Sequence, residues 1–201
     1  MELSAIPAAL RNHLPVSDAE FDRLFSAGQR FRSYAHWTPV EVAMRACALL
    51  APTATARVLD VGSGVGKLCL VGALMTPATW VGVETEEEMV RVAERAARRL
   101  RVADRAHFVH GDATTLDWTA FDAIYMFNPF AEGLLAAKFE PGAHERFARN
   151  VELARRHLAS TRPGTRVLTY HGFGGQLPPG FELVHQEPAR LDHLCLWLRS
   201  R

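Results

Sequence analysis

The chain has almost no lysine, few cysteines and no long apolar run, and each shortage narrows what it can be. Lysine occurs only at Lys67 and Lys138, and the remaining basic residues are arginines balanced by acids to a formal net charge of +1. No global field of one sign is therefore available to hold a bare nucleic-acid backbone. Cys47, Cys69 and Cys195 stand far apart among apolar neighbours, with no CxxC and no ligand-spaced histidine pair beside them. That pattern argues against a metal site or a disulfide framework and for reduced, packed thiols in a cytoplasmic protein. No stretch approaches the roughly 20 consecutive apolar residues a membrane span needs. The first residues, which include Glu2 and Arg11, lack the apolar segment of a secretory leader. Repeats and low-complexity linkers are also missing. What remains is 201 residues, 48% hydrophobic and 22% charged, enough for one domain around a sizeable core.

Residues 57–66, Arg-Val-Leu-Asp-Val-Gly-Ser-Gly-Val-Gly, carry the strongest signal. Val58, Leu59 and Val61 suit a buried parallel strand, and Gly62, Gly64 and Gly66 let a tight turn pass close to a ligand. A turn of this kind at the carboxyl edge of a doubly wound sheet is a nucleotide site. The dinucleotide fingerprint Gly-x-Gly-x-x-Gly rests a pyrophosphate on helix amides. Here the third glycine comes one residue early and Lys67 occupies the expected position. Asp60, two residues before Gly62, would repel a phosphate but suits a ligand that carries an ammonium group and no phosphate. S-adenosylmethionine has that character, with adenosine at one end and a cationic amino acid with a sulfonium at the other.

The spacing downstream repeats the theme. Residues 79–84 form a second apolar strand ending in Glu84, placed to accept both ribose hydroxyls. Residues 106–112 give a third strand ending in Asp112, followed by Ala113, where a carboxylate can receive the adenine amino group. Residues 121–130 give a fourth, ending in Asn128-Pro129-Phe130. Each strand ends in a polar residue at one edge of the sheet, as a ligand crevice requires.

These residues resemble the class I S-adenosylmethionine-dependent methyltransferases over about residues 38–199. Asp60 to Gly66, with Ser63 between the first two glycines, is similar to that family's first motif, and Val81 to Glu84 to its second. Gly111-Asp112-Ala113 is similar to the third, and Asn128-Pro129-Phe130 to the fourth. Within the class, the first two motifs look most like those of Dot1-type lysine methyltransferases. Asn128-Pro129-Phe130 is closer to the Asn-Pro-Pro-aromatic motif of enzymes that methylate exocyclic or amide nitrogens, with one proline fewer. The resemblance implies S-adenosyl-L-methionine as cofactor, held by Thr38, Asp60, Gly62, Ser63, Gly64, Gly66, Glu84, Asp112, Ala113 and Asn128. It also implies Asn128, Pro129 and Phe130 as the residues around the acceptor nitrogen. The acceptor itself stays open between a protein, an RNA base and a small molecule, and oligomeric state is silent. A nicotinamide-dependent oxidoreductase and a non-catalytic cofactor-binding module are the alternatives.

The expected fold is α/β, a Rossmann-like doubly wound seven-stranded sheet. It is mostly parallel with an antiparallel C-terminal strand, and carries an N-terminal helical extension. Residues 1–201 form one methyltransferase domain in this reading, with 1–50 as a helical cap and 51–201 as the cofactor-binding core. Ser17-Asp18-Ala19-Glu20 is a capping box, and Thr38-Pro39 opens a helix with proline in its first turn. Glu86 to Glu88 start a helix that bears a stripe of arginines; Glu-Arg pairs at i,i+4, such as Glu87–Arg91 and Glu94–Arg98, read as a solvated face. Strands at about 181–187 and 193–199 close the chain. Tyr34, His36 and Trp37 are placed to line a substrate mouth or to staple the helix, and His171 and Glu132 are candidate proton acceptors at the ligand edge.

Overall fold

A computed structural model describes residues 2–30, 37–51, 53–130 and 141–200. Tyr34, His36 and Glu132, singled out from the sequence, lie outside the described residues. Seven strands form one sheet: β1 (Arg57–Val61), β2 (Thr79–Glu84), β3 (Ala106–His110), β4 (Ala123–Phe127), β5 (Arg166–Tyr170), β6 (Phe181–Ala189) and β7 (Asp192–Arg199). Their order is β3-β2-β1-β4-β5-β7-β6. All pairings are parallel except those of β7, which runs antiparallel between β5 and β6. The chain winds from β1 outward to β3, then returns to start again at β4 beside β1. The switch point therefore falls between β1 and β4, where an open α/β sheet leaves a crevice at its carboxyl edge.

Among the described residues the α-helices are α1 (Ile6–Arg11), α2 (Asp18–Phe21), α3 (Ala27–Arg30), α4 (Val40–Leu50), α5 (Lys67–Met75), α6 (Glu87–Leu100) and α7 (Ala143–Ser160). Strand alternation splits the apolar residues between two layers. Val58, Trp80, Tyr125 and Leu168 face α1, α4, α5 and α6 in one buried cluster. Leu59, Val81, Ile124 and Val167 face Trp118, Val151 and Leu158 in the other. The N-terminal helices join the first of these clusters through Ile6, Leu10 and Phe21.

Local signals set most boundaries. Ser17 and Glu20 form the reciprocal capping box: Ser17 N–H donates to Glu20 Oε2 at 3.0 Å and Glu20 N–H to Ser17 Oγ at 3.3 Å. Glu87–Arg91 and Glu94–Arg98 pair on the exposed face of α6 at 2.7 and 3.8 Å. Pro39 proves to be the N-cap of α4 rather than its first helical residue. The last two strands are longer than their sequence pattern suggests, and only Arg190 and Leu191 separate them, with Arg190 at φ 49°. Pro188 lies within β6, which tolerates it as an edge strand.

Candidate cofactor site

The turn after β1 is tied to β2 by its own amides. Gly62 and Ser63 both donate to the Val83 carbonyl at 3.0 Å, and Gly66 donates to the Ser63 carbonyl at 2.8 Å. Gly64 donates to Glu84 Oε2 at 2.9 Å. The N–H groups that would otherwise form an anion nest are thus already engaged, three by carbonyls and one by a carboxylate. Gly62 and Gly66 adopt φ 74° and 77°, a region unfavourable for residues with a Cβ. They serve different ends. A Cβ at Gly62 would lie 3.2 Å from Pro129 Cβ, so this glycine lets the β4 turn close over the crevice. A Cβ at Gly66 would lie 2.3 Å from the Phe108 ring and 2.9 Å from Ala93 Cβ, so this one lets α5 seat against β3 and α6. Gly66 is buried by that packing, where its motif position had suggested approach to a ligand. Ser63 Oγ is likewise buried, in the space a side chain at Gly82 would fill.

The three acids at the strand ends sit in different surroundings. Asp60 is 4% exposed. Burial pushes its carboxyl from the ordinary 3.8 up to about 7, with the Glu84 charge adding to that rise and the Cys69 thiol, donating at 3.5 Å, opposing it. Glu84 is half-buried and fixed by Gly64 N–H, by Thr85 Oγ–H at 3.1 Å and by Glu86 N–H at 3.0 Å. Asp112 is exposed; its Oδ1 accepts the Thr114 amide and hydroxyl, both at 2.8 Å, and caps the short turn Ala113–Thr115. The Ala113 carbonyl accepts Trp118 Nε1–H at 2.8 Å. Among the described residues none of the three acids forms an ion pair.

A small cleft, part of it open to solvent, lies between this turn and the start of α4. Asp60, Gly62, Ser63, Lys67, Tyr125 and Phe127 line it, with Trp37 and Thr38 opposite. The pleat places Tyr125 directly beside Asp60. Its hydroxyl shares a buried 3.0 Å hydrogen bond with Thr38 Oγ1, and burial raises its pKa. Glu84 and Asp112 stand outside this cavity, towards β2 and β3, so the crevice has an enclosed end and an open, acidic end.

The β4 turn completes the edge. Asn128 takes φ 43°, as asparagine does more readily than most residues, and its N–H donates to the Gly172 carbonyl at 2.9 Å. Pro129 abuts Gly62, and Phe130 packs half-buried on the second core cluster. His171, at φ 55°, ends β5. Its ring lies 5.4 Å from that of Phe127 and 4.4 Å from that of Tyr170, and its Nδ1 is 3.0 Å from Asp192 Oδ2. Sequence reasoning found His171 but missed Asp192, Cys69 and Tyr125. Tyr125 was within reach of a register argument; Asp192 arrives on a hairpin with no local signature.

Residues 58–150 match a family model described as a methyltransferase domain. A sterol 24-C-methyltransferase from Debaryomyces hansenii is 35% identical over 71 residues, covering 34% of this chain and 19% of that protein. The chain spans about a fifth of the length of the curated relatives it matches. Among solved structures, an RNA methyltransferase from Salinibacter ruber, in complex with S-adenosyl-L-homocysteine, superposes with a TM-score of 0.59 at 21% identity. That likeness covers 82% of this chain and 94% of the other. TrmN from Thermus thermophilus gives 0.60 at 22% identity, covering 86% and 52%. At these identities the structures establish the shared fold.

Proposed function

We propose that the chain is an S-adenosyl-L-methionine-dependent methyltransferase working on a nitrogen nucleophile. The observation that carries the cofactor reading is the glycine turn. Its amides face Val83 and Glu84 rather than a phosphate, while a buried Asp60 lacks a cationic partner among the described residues. A positively charged, phosphate-free nucleoside meets both conditions. Asp60 and Thr38 then border its amino-acid end, Glu84 its ribose and Asp112 with Ala113 its adenine. Gly62, Ser63 and Gly64 pass beneath it.

The bound cofactor supplies a methyl group on a sulfonium leaving group, and the protein has mainly to position a nucleophile and match its changing charge. In this reading the Asn128 side-chain carbonyl and the Pro129 backbone carbonyl accept the hydrogens of the acceptor nitrogen. Phe130 borders a planar or cationic group. His171, held by Asp192 in one orientation, receives the proton lost once the nitrogen is methylated. An exocyclic base amine and a lysine side chain both have this chemistry; likeness to Dot1-type motifs supports the second. The reading includes a single domain over 1–201 and a cytoplasmic location, supported by three free thiols. Among the described residues no helix is long and apolar enough to cross a membrane.

Thermal-shift titration tests the cofactor assignment. S-adenosylhomocysteine at about 100 times its Kd should stabilise the fold by about 2.7 kcal/mol, raising Tm by several degrees. NAD and NADP should leave Tm unchanged. Stabilisation by either of these, and none by S-adenosylhomocysteine, would reject the assignment in favour of an oxidoreductase.

A further inference from the structure

The enclosed end of the crevice has two charged side chains in its wall, Asp60 and Lys67, one on each side of the glycine turn. They do not pair with each other. Asp60 is hydrogen-bonded by the Cys69 thiol, whereas Lys67 lies under the N-terminal helices. Its side chain is 3% exposed, and Nζ is 2.6 Å from Asp18 Oδ1 and 2.8 Å from Asp22 Oδ1. The rings of Phe21 and Trp37 are each 5.9 Å from this ammonium. An ammonium group has three N–H donors; Asp18 accepts one of them, while Asp22 Oδ1 is in ion-pair contact without hydrogen-bond geometry. Arg190 is 2.6 Å from Asp18 Oδ2, so a second cation shares the charge of Asp18 with Lys67. A further anion at Lys67 therefore does not face Asp18 as an uncompensated charge.

Building on the cofactor reading above, we propose that Lys67 is the partner of the cofactor's carboxylate. The enclosed pocket then reads an amino-acid zwitterion at both ends, ammonium at Asp60 and carboxylate at an N–H of Lys67 that Asp18 does not take. The same contact explains why lysine stands directly after the third glycine. There it anchors the helices above the crevice and meets the ligand beneath them. Lys67 is on this account a positioning and specificity residue: it discriminates the intact amino acid from nucleosides that lack it.

The test pairs a change in the ligand with a change in the protein. S-adenosylhomocysteine is compared with its decarboxylated analogue, 5′-S-(3-aminopropyl)-5′-thioadenosine, by calorimetric titration against wild type and Lys67→Met. A charge-assisted hydrogen bond in a buried site corresponds to about tenfold or more in affinity. Wild type should prefer the intact ligand by that factor, and Lys67→Met should prefer it by no more than about twofold. An undiminished preference in the variant, or equal weakening of both ligands, would overturn the proposal and leave Lys67 a structural anchor only. Should Lys67→Met fail to fold, the wild-type protein answers instead. With only two lysines in the chain, 15N-lysine labelling gives two side-chain signals, assigned with Lys138→Arg. The Lys67 signal must move with S-adenosylhomocysteine and stay with the analogue; the same shift for both would refute the contact. Wild type binding neither ligand would instead overturn the cofactor assignment itself.

Discussion

Asp60 weakens the empty fold, and under the proposed function it would serve the loaded one. Its carboxyl titrates at about 7 in the folded chain against an ordinary 3.8, so the native state holds the proton more tightly than the unfolded one. The linked stability is fully present below about pH 4 and is lost as pH rises through 7. Three pKa units correspond to a loss on the order of 4 kcal/mol. Asp60→Asn removes the titration while keeping the shape. The ligand-free variant should therefore melt several degrees above wild type at pH 8, with the gap closing towards pH 4. Cofactor affinity should move the other way and fall, because a neutral amide no longer attracts an ammonium. Thermal melts of the ligand-free proteins across pH 4–8 check the first part. A gap independent of pH would mean that Asp60 finds compensation in solution that its burial denies it here. The same reasoning predicts that wild type releases protons on binding cofactor near pH 7, visible as a calorimetric enthalpy that depends on the buffer.

At the level of elements, the glycine turn separates a glycine closed in by packing from one that borders open space. Gly66→Ala forces a Cβ against the Phe108 ring and Ala93 at φ 77°. Overpacking and left-handed backbone together should destabilise by about 2–4 kcal/mol. Gly64→Ala enters open space at φ 55° and should lose only about 1–2 kcal/mol, from backbone strain alone. Urea unfolding of the two variants ranks them; Gly64→Ala as the more destabilised would contradict this division. Sequence made these elements legible because their signals are local. The edges of β1, β2 and α5 follow from apolar runs stopped by Gly62, Glu84 and Gly66. Where β4 proved shorter, the cause was tertiary. Asp122 keeps backbone bonds to Arg57 and Arg166, but its side chain, not its backbone, accepts the Arg57 amide, at 2.8 Å, and pairs with Arg162, while left-handed Asn128 ends the strand at the other side. The placement of the acids and glycines at one edge of the sheet was readable from spacing, but the groups that hold them were not. Asp192 beside His171 and Asp18 beside Lys67 meet only once distant segments have folded together.

Across the whole molecule, Asp18 is where those segments converge. Its carboxylate accepts Lys67 of α5 at 2.6 Å, the Val40 amide that starts α4 at 2.8 Å, and Arg190 of the β6–β7 turn at 2.6 Å. Burial pushes its pKa up, yet Lys67, the Val40 amide and Arg190 outweigh that and hold it below the ordinary 3.8. This contribution is therefore present above about pH 4 and lost as pH falls below it. One residue thus ties the N-terminal helices, the start of α4 beside the crevice and the far hairpin together. Asp18→Ala leaves buried Lys67 with Asp22 and strips Arg190 of its partner, a change of the kind that costs about 3 kcal/mol. If the unit is cooperative, hydrogen exchange in this variant should quicken together at residues 17–25, at the Val40 amide and at residues 189–192. Strands β1, β2 and β4 should keep their protection, because their pairing does not pass through Asp18. Bound S-adenosylhomocysteine should slow all three opening segments at once, since Thr38, Trp37 and Lys67 belong to both the cavity wall and the clamp. Exchange that quickens at the N-terminal helices while the hairpin stays protected would show two independent attachments, and the clamp as one unit would have to be abandoned.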